Sequence, residues 1–232
     1  MGRGSSSAGG VTESNERPLG GEGGRGNGKE PITVQPFNPN PQNLPEALGT
    51  KGKSMKINDA LEGANPFYDG SGGAQGNFTE NCQRAIVAYE ARRRGYDVIA
   101  QPTFEGDDLP LIGNWQKAFN GAESVHVGTT SPTKTQQNLE AQMREYGNGA
   151  RGVVSIPGHV FNVENQNGKI RYVDAQTNTV YNSNNVFKRV GRKSQTITLT
   201  RTDNLSFADG AKRAVTPVTE TMRRIGRTKN TR

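Results

Sequence analysis

Residues 155–177 read "SIPGHVFNVENQNGKIRYVDAQT". Apolar residues recur along two short runs, and the dipeptide Asn167-Gly168 separates them. Asn-Gly between two such runs is the strongest short-range signal for a β-hairpin with a two-residue type I′ turn. The segment therefore predicts two antiparallel strands, the first carrying His159 and the second carrying Asp174.

The length of the turn determines how the two ionisable residues of this hairpin face each other. A two-residue turn pairs Gln166 with Lys169, which places His159 opposite Gln176 and diagonal to Asp174. A four-residue loop would place His159 directly opposite Asp174, whereas a three-residue loop would put them on different faces. Under the first two loops the backbones of the two residues lie within about 4.5–8 Å on one face, where an aspartate can orient a histidine.

The segments on either side of the hairpin predict an α+β domain, a helical part followed by an antiparallel sheet. Capping residues and glycine stops indicate three helices, over residues 77–95, 111–121 and 131–147, the last with Ser131 as its cap. Further strands are predicted where β-branched and aromatic residues cluster, at 96–102, 124–128, 152–156 and 196–203.

The chain's only cysteine, Cys82, falls in the first turn of the predicted helix 77–95, which Asn77 or Thr79 caps. Unpaired N–H groups and the helix dipole favour a thiolate there. A single cysteine excludes an intramolecular disulfide and a multi-cysteine zinc site. A helix-borne thiol with a histidine held by an aspartate is the arrangement needed for acyl transfer at an amide, with N–H groups at the helix start as the oxyanion hole.

A structural interpretation stands beside this one at each position. Cys82 and the apolar residues that follow it at helical spacing could simply be core, and His159 and Asp174 could be ordinary strand residues. Trp115 is most simply a core residue, and His126, with no acidic partner in view, is assigned no role. The arginines at 92–94 indicate a solvated helix end. The three candidate residues agree on one chemistry, which favours the catalytic interpretation.

The two ends of the chain differ from its middle. Residues 1–70 are rich in glycine and proline and predict a disordered linker, with one short helix within 54–64. Residues 71–205 form the predicted domain. Residues 206–232 form a basic tail, predicted as a helix that Pro217 interrupts. Residues 188–232 hold twelve basic and three acidic side chains, a net charge of +9, which favours contact with nucleic acid or an acidic surface.

Nothing in the sequence predicts a membrane span, and the N-terminus lacks the apolar core of a secretory signal. The localisation is therefore open. A protein that leaves its cell without such a signal would need a non-classical route or a phage particle to carry it, and its lone thiol suits a reducing cytosol.

The motifs "NCQRAIVAYEARRRGYDVIAQP" (residues 81–102) and "GARGVVSIPGHVFNVENQNGKIRYVDAQT" (residues 149–177) resemble those of papain-fold toxin domains classed as glutamine deamidases. Such domains occur in polymorphic bacterial toxins, in secreted effectors and attached to phage minor head proteins. The helix-borne Asn-Cys, the H-x-F-N-V strand and the following D-x-Q-T carry the resemblance, which spans about residues 77–205. Ala175 stands where members more often have proline or glycine.

The resemblance implies a papain-like fold and a cysteine hydrolase that converts a protein glutamine to glutamate. It implies Cys82 as nucleophile, His159 as general base and acid, and Asp174 as the orienting carboxylate, with Gln176 and Asn81 near the site. No cofactor or metal is implied, the partner is a protein substrate, and an immunity protein is a further possible partner. Gln75 and Asn77 are the only upstream candidates for a side-chain oxyanion donor.

Two alternatives stay open at this point. The first is a cysteine peptidase or transglutaminase-like acyltransferase of the same fold, because all three activities share the thioester step. The second is a non-catalytic, phage-associated structural protein whose basic tail contacts nucleic acid.

Overall fold

The computed structural model describes residues 43–68, 78–103, 114–181 and 186–218. Within these ranges the chain forms four α-helices and eight β-strands, and the predicted α+β class is confirmed. The helices are α1 (Leu44–Leu48), α2 (Ile57–Ala64), α3 (Cys82–Arg93) and α4 (Pro132–Glu145). The strands are β1 (Val98–Ala100), β2 (Ser124–His126), β3 (Arg151–Ile156), β4 (His159–Gln166), β5 (Lys169–Asp174), β6 (Thr179–Tyr181), β7 (Thr198–Arg201) and β8 (Val215–Pro217).

Six of these strands form one antiparallel sheet in the order β2-β7-β3-β4-β5-β6. Its β4–β5 hairpin has the predicted two-residue turn, since Gln166 pairs with Lys169 and Asn162 with Val173. The turn residues Asn167 and Gly168 have φ values of 53° and 85°, as a type I′ turn requires. The prediction that places His159 on the same side of the hairpin as Asp174 is therefore confirmed for this register.

A helix covers each face of this sheet, and residues that alternate along its strands divide between the two layers. Val153 and Val173 pack with α3, while Val154 and Phe161 pack with Leu139 of α4. Helix α4 begins as predicted, because the Ser131 side chain accepts a hydrogen bond from the Lys134 N–H and Pro132 is the first helical residue. Among the residues described, no helix has the length and apolar character needed to cross a membrane.

The second sheet pairs β1 with β8. Neither β8 nor β6 is predicted from the sequence, because each has only three residues and shows little alternation. The predicted helix 111–121 is also only partly correct: over its described residues a 3₁₀ helix spans Asn114–Ala118. An isolated bridge between Phe119 and Phe207 fixes the chain directly after it, so the turn cannot extend into an α-helix.

The end of α3 corrects the prediction of a solvated arginine cluster at 92–94. Arg93 donates to both carboxylate oxygens of Glu164 on β4 at 2.6 and 3.0 Å, and Glu164 is almost completely buried. Glu90 accepts from Arg94 and from both nitrogens of the Arg151 fork. These buried, charge-assisted hydrogen bonds join α3 to β3 and β4. The pattern of charges along α3 could not predict them, because the partner residues lie on other elements.

Residues 43–68 depart from the predicted linker. Helices α1 and α2 place Leu48, Ala60, Leu61 and Ala64 in the core that surrounds α3. The short helix predicted within 54–64 is confirmed as α2, in which Ala60, Leu61 and Ala64 share one side, whereas the glycine- and proline-rich composition of residues 1–70 gave no sign of α1.

Residues 206–218 also depart from the predicted boundary at 205. A 3₁₀ helix over Asp209–Arg213 and strand β8 replace the predicted helix, and Ala211, Ala214 and Val215 are buried. The apolar residues of this segment complete the core around α3, although its many cations suggested a tail. The rest of the predicted basic tail, residues 219–232, lies outside the described residues.

Candidate active site

Cys82 is the first residue of α3, so it lies in the first turn as predicted, and it is partly exposed. The backbone carbonyl of Asn81 accepts hydrogen bonds from the N–H groups of Arg84 and Ala85, each at 2.9 Å. A helix leaves its first N–H groups outside this ladder, so the N–H groups around Cys82 lie at the positive end of the helix dipole.

The cap of α3 is not one of the predicted residues. Asn81 occupies the N-cap position, Thr79 lies outside it, and Asn77 lies outside the described part of the chain. The Asn81 side chain does not cap the helix. It forms a reciprocal amide pair with Asn65, at 3.0 and 3.1 Å, and donates to the carbonyl of Gln101. Asn81 therefore adjoins Cys82 in the chain while its side chain is buried.

His159 and Asp174 meet across the β4–β5 hairpin. His159 Nε2 lies 3.0 Å from Asp174 Oδ2, and Nε2 is the donor because an ionised carboxylate only accepts hydrogen bonds. The imidazole retains 21% of its exposure and the carboxylate 1%. The hairpin therefore presents a half-buried histidine whose orientation is set by a buried aspartate.

Four hydrogen bonds hold the Asp174 carboxylate. Oδ1 accepts from the backbone N–H groups of Gln176 and Thr177, at 3.0 and 3.4 Å. Oδ2 accepts from His159 and from the hydroxyl of Tyr181. Burial alone would raise the pKa of Asp174, but these bonds and the charge of His159 hold it below its ordinary value.

The Cys82 side chain interacts with the ring of His159. Because Nε2 is bonded to Asp174, Nδ1 is the ring nitrogen that remains for the thiol. Burial disfavours the charged ring, but hydrogen bonds and charges from Asp174 and Cys82 outweigh this effect and raise the pKa of His159 from 6.5 to about 9. The ring is therefore an imidazolium at neutral pH, held between a carboxylate and a sulfur.

The three residues belong to one site, and two of them line an open cavity of about 380 Å³. Its lining comprises Thr79, Glu80, Cys82, Gln83, Thr103, Gly158, His159, Val160 and Gln176. Gln176, a predicted near-site residue, donates to the carbonyl of Thr79 at 2.6 Å, and its own carbonyl accepts from Asn65 at 2.9 Å. Gln176 thus joins the segment before Cys82 to the turn after Asp174.

Two residues of this site escape sequence reasoning. Tyr181 contacts Asp174 from β6, a strand too short for its alternation to be recognised. Asn65 lies in a segment whose composition indicates a linker, and nothing local marks it as the partner of Asn81 and Gln176. Both are found only once tertiary structure brings distant segments together.

Other candidates lie elsewhere. Trp115 is buried in the core, as predicted. His126, for which the sequence indicates no role, lies on the exposed edge strand β2. Its Nε2 atom is hydrogen-bonded to the backbone carbonyl of Gln195. Gln75 and Asn77, the candidate oxyanion donors, lie outside the described residues. Within the described ranges no group of three or more His, Cys, Asp or Glu residues could hold a metal ion.

Fold and site together define a class of protein: an α+β domain in which a cysteine at a helix start faces a histidine–aspartate pair on an antiparallel sheet. Residues 80–179 match the family model described as papain fold toxin 1, glutamine deamidase. The matched segment contains Cys82, His159 and Asp174, and it confirms the predicted resemblance to papain-fold toxin domains. It covers fewer than half of the 232 residues. Neither the curated proteins nor the solved structures include a match to the chain.

Proposed function

We propose that this domain is a cysteine-dependent hydrolase that deamidates a glutamine side chain of a protein substrate to glutamate. The observation that carries the proposal is that His159 is hydrogen-bonded to Asp174 and interacts with Cys82 beside an open cavity. The family-level function supports the choice of glutamine as the substrate side chain. The same description supports the further proposal that the chain acts as a toxin or effector.

In the first half of the reaction the Cys82 thiolate, paired with the His159 imidazolium, attacks the carboxamide carbon of the glutamine. As the tetrahedral intermediate collapses, the His159 imidazolium gives its proton to the leaving nitrogen, and ammonia departs. The product of this step is a thioester between Cys82 and the former glutamine side chain. Because His159 is protonated at neutral pH, the proton is already in place when the substrate binds.

In the second half the ring, now neutral, takes a proton from water, and the hydroxide attacks the thioester carbon. The thiolate leaves, the glutamate side chain departs, and the Cys82–His159 ion pair is restored. Asp174 keeps the ring tautomer and orientation throughout and stabilises the imidazolium, without itself taking the proton. Its four hydrogen bonds keep the carboxylate in place.

The start of α3 supplies the stabilisation of the developing oxyanion. The backbone N–H group of Cys82 precedes the first intrahelical bonds, which Arg84 and Ala85 donate. Donors of this kind, fixed beside the nucleophile at the positive end of a helix, act on charge that develops in the transition state.

The experiment is mass analysis of candidate cytosolic proteins incubated with the wild-type chain or with Cys82→Ser. A gain of about 1 Da on one glutamine, absent with the variant, establishes deamidation through the thioester and identifies the target. Ser keeps the size of the side chain, and circular dichroism confirms that the variant is folded. His126→Gln, on the edge strand β2, is the matched control and should retain full activity.

Other products point to the other activities of this fold. Cleaved peptides indicate a peptidase, and a glutamine joined to an added primary amine indicates an acyltransferase. If no protein changes mass and the Cys82 thiol is inert, the chain is a non-catalytic, phage-associated structural protein, and salt-sensitive binding of nucleic acid by the basic end is its test. A toxin would also be inhibited by an immunity protein, and co-expression of neighbouring genes with the active chain identifies it.

A further inference from the structure

Tyr181 is the one aromatic hydroxyl that the described residues place on the Asp174 carboxylate. It donates to Oδ2, the same oxygen that accepts from His159 Nε2 at 3.0 Å. Two side chains therefore donate hydrogen bonds to the same oxygen of Asp174. One of them, Tyr181, is not among the three proposed catalytic residues.

The surrounding structure fixes the Tyr181 ring. Strand β6 pairs with β5 so that Tyr181 stands opposite Tyr172, and the ring packs edge-on against Phe161 of β4 with centroids 5.7 Å apart. Packing on a buried aromatic restricts the side chain to few rotamers, so the hydroxyl is aimed at Asp174 rather than free to rotate to solvent.

We propose that Tyr181 is a positioning residue of the active site, which holds Asp174 Oδ2 toward His159 and limits how strongly that oxygen binds the imidazolium. This inference rests on the proposed function for its catalytic meaning. The contact itself is independent of any reaction, since it joins two side chains of the folded domain.

The charged groups around this contact come from four elements. His159 of β4 bonds the same oxygen of Asp174, Cys82 of α3 interacts with His159, and Glu80 lines the cavity before α3. Arg189, in the segment after β6, opposes through its charge the rise in the pKa of Tyr181 that burial and Asp174 cause. None of these groups is altered when only the Tyr181 hydroxyl is removed.

The sign of the effect follows from the direction of the hydroxyl dipole. The Tyr181 hydrogen points at Oδ2, so its positive end reduces the negative potential that Asp174 exerts on His159. Without the Tyr181 hydroxyl, Oδ2 accepts a hydrogen bond from the imidazolium only. Tyr181→Phe therefore stabilises the charged ring further, whereas Asp174→Asn removes the stabilising charge. The two variants shift the titration of His159 in opposite directions.

The experiment is an NMR titration of the full chain, which has only two histidines, His159 and His126. With Tyr181→Phe we expect the His159 midpoint to move to higher pH and the His126 midpoint to stay fixed. The matched control is Tyr172→Phe, which removes another buried hydroxyl bonded to a carboxylate, that of Glu140, from the same aromatic cluster. It should leave both midpoints unchanged.

In the deamidation assay Tyr181→Phe should lower kcat about tenfold with little change in KM, because a more strongly stabilised imidazolium gives its proton less readily to the leaving nitrogen while the substrate contacts stay. An unmoved His159 midpoint in a folded Tyr181→Phe protein overturns the inference even if the wild type deamidates its target. A moved midpoint in a chain that deamidates nothing supports the Tyr181 contact and contradicts the proposed function. Thermal unfolding establishes that each variant is folded.

Discussion

Arg93 and Glu164 form a bidentate ion pair that joins the last residue of α3 to β4, the strand that begins with His159. From Cys82 to Arg93 the helix rises about 16 Å, and from His159 to Glu164 the strand extends about the same distance. The helix and strand therefore run side by side, with the ion pair at one end and the Cys82–His159 contact at the other. Between them, Asn162 of β4 donates to the carbonyl of Ile86 at 3.3 Å.

Glu164→Gln should therefore destabilise the domain. It leaves the Arg93 guanidinium without its charged partner in a largely buried position and weakens the acceptor of the Tyr89 hydroxyl. We expect the free energy of unfolding in urea to fall by about 3 kcal/mol. Asp209→Asn breaks an exposed pair with Lys212 and should cost under about 0.5 kcal/mol. Equal losses in the two variants would contradict a structural role for the buried pair.

The reactivity of Cys82 should depend on His159. We expect iodoacetamide to alkylate the folded chain near pH 7 at least about tenfold faster than His159→Gln, because the imidazolium stabilises the attacking thiolate. Mass spectrometry follows the reaction, since the chain has a single cysteine. His126→Gln is the control and should react like the wild type. Similar rates in wild type and His159→Gln would mean that the two side chains do not form an ion pair in solution.

The pH dependence of deamidation should show a falling limb near pH 9. Acylation needs the protonated ring, whose pKa is raised to about 9, so kcat/KM is high below that pH and is lost as the pH rises through it. Asp174→Asn removes the carboxylate charge that raises this pKa, so the limb should move to lower pH and kcat should fall about 100-fold or more. If the falling limb stays near pH 9 in Asp174→Asn, a group other than His159 is responsible for it.

The hairpin and its two ionisable residues could be predicted because the information is local. Asn167-Gly168 specifies a two-residue turn, and the alternation of strand residues then fixes which side His159 and Asp174 share. Cys82 could be placed at a helix start for the same reason, since capping residues and periodicity are read within one segment. That these segments meet is predicted from their shared chemistry and from the resemblance to papain-fold toxin domains, and in the structure Cys82 interacts with His159.

The remaining features depend on contacts between distant segments. The arginine run at 92–94 looks solvated along one helix, yet its partners Asp97 and Glu164 come from the turn after α3 and from β4. Tyr181 reaches Asp174 only because β6 pairs with β5. Residues 43–68 look like linker by composition, but a few apolar side chains on short helices suffice once α3 supplies the surface they cover.

A substitution of Asn65 tests whether residues 43–68 are part of the folded domain. The Asn65 amide donates to the carbonyls of Phe78 and Gln176 and pairs with Asn81, so it joins α2 to the segments on both sides of the cavity. Asn65→Ala leaves these buried acceptors unpaired, and we expect the free energy of unfolding to fall by about 2–3 kcal/mol.

Asn120→Ala is the matched control for Asn65→Ala, because Asn120 also donates through its amide but lies at the exposed surface. It should cost under about 1 kcal/mol. Because Asn65 holds both the segment before Cys82 and the turn after Asp174, its loss should also slow alkylation of the thiol, whereas the control should not. If Asn65→Ala is as stable and as reactive as the wild type, residues 43–68 are not an integral part of the domain, and the linker prediction would be the better description of them.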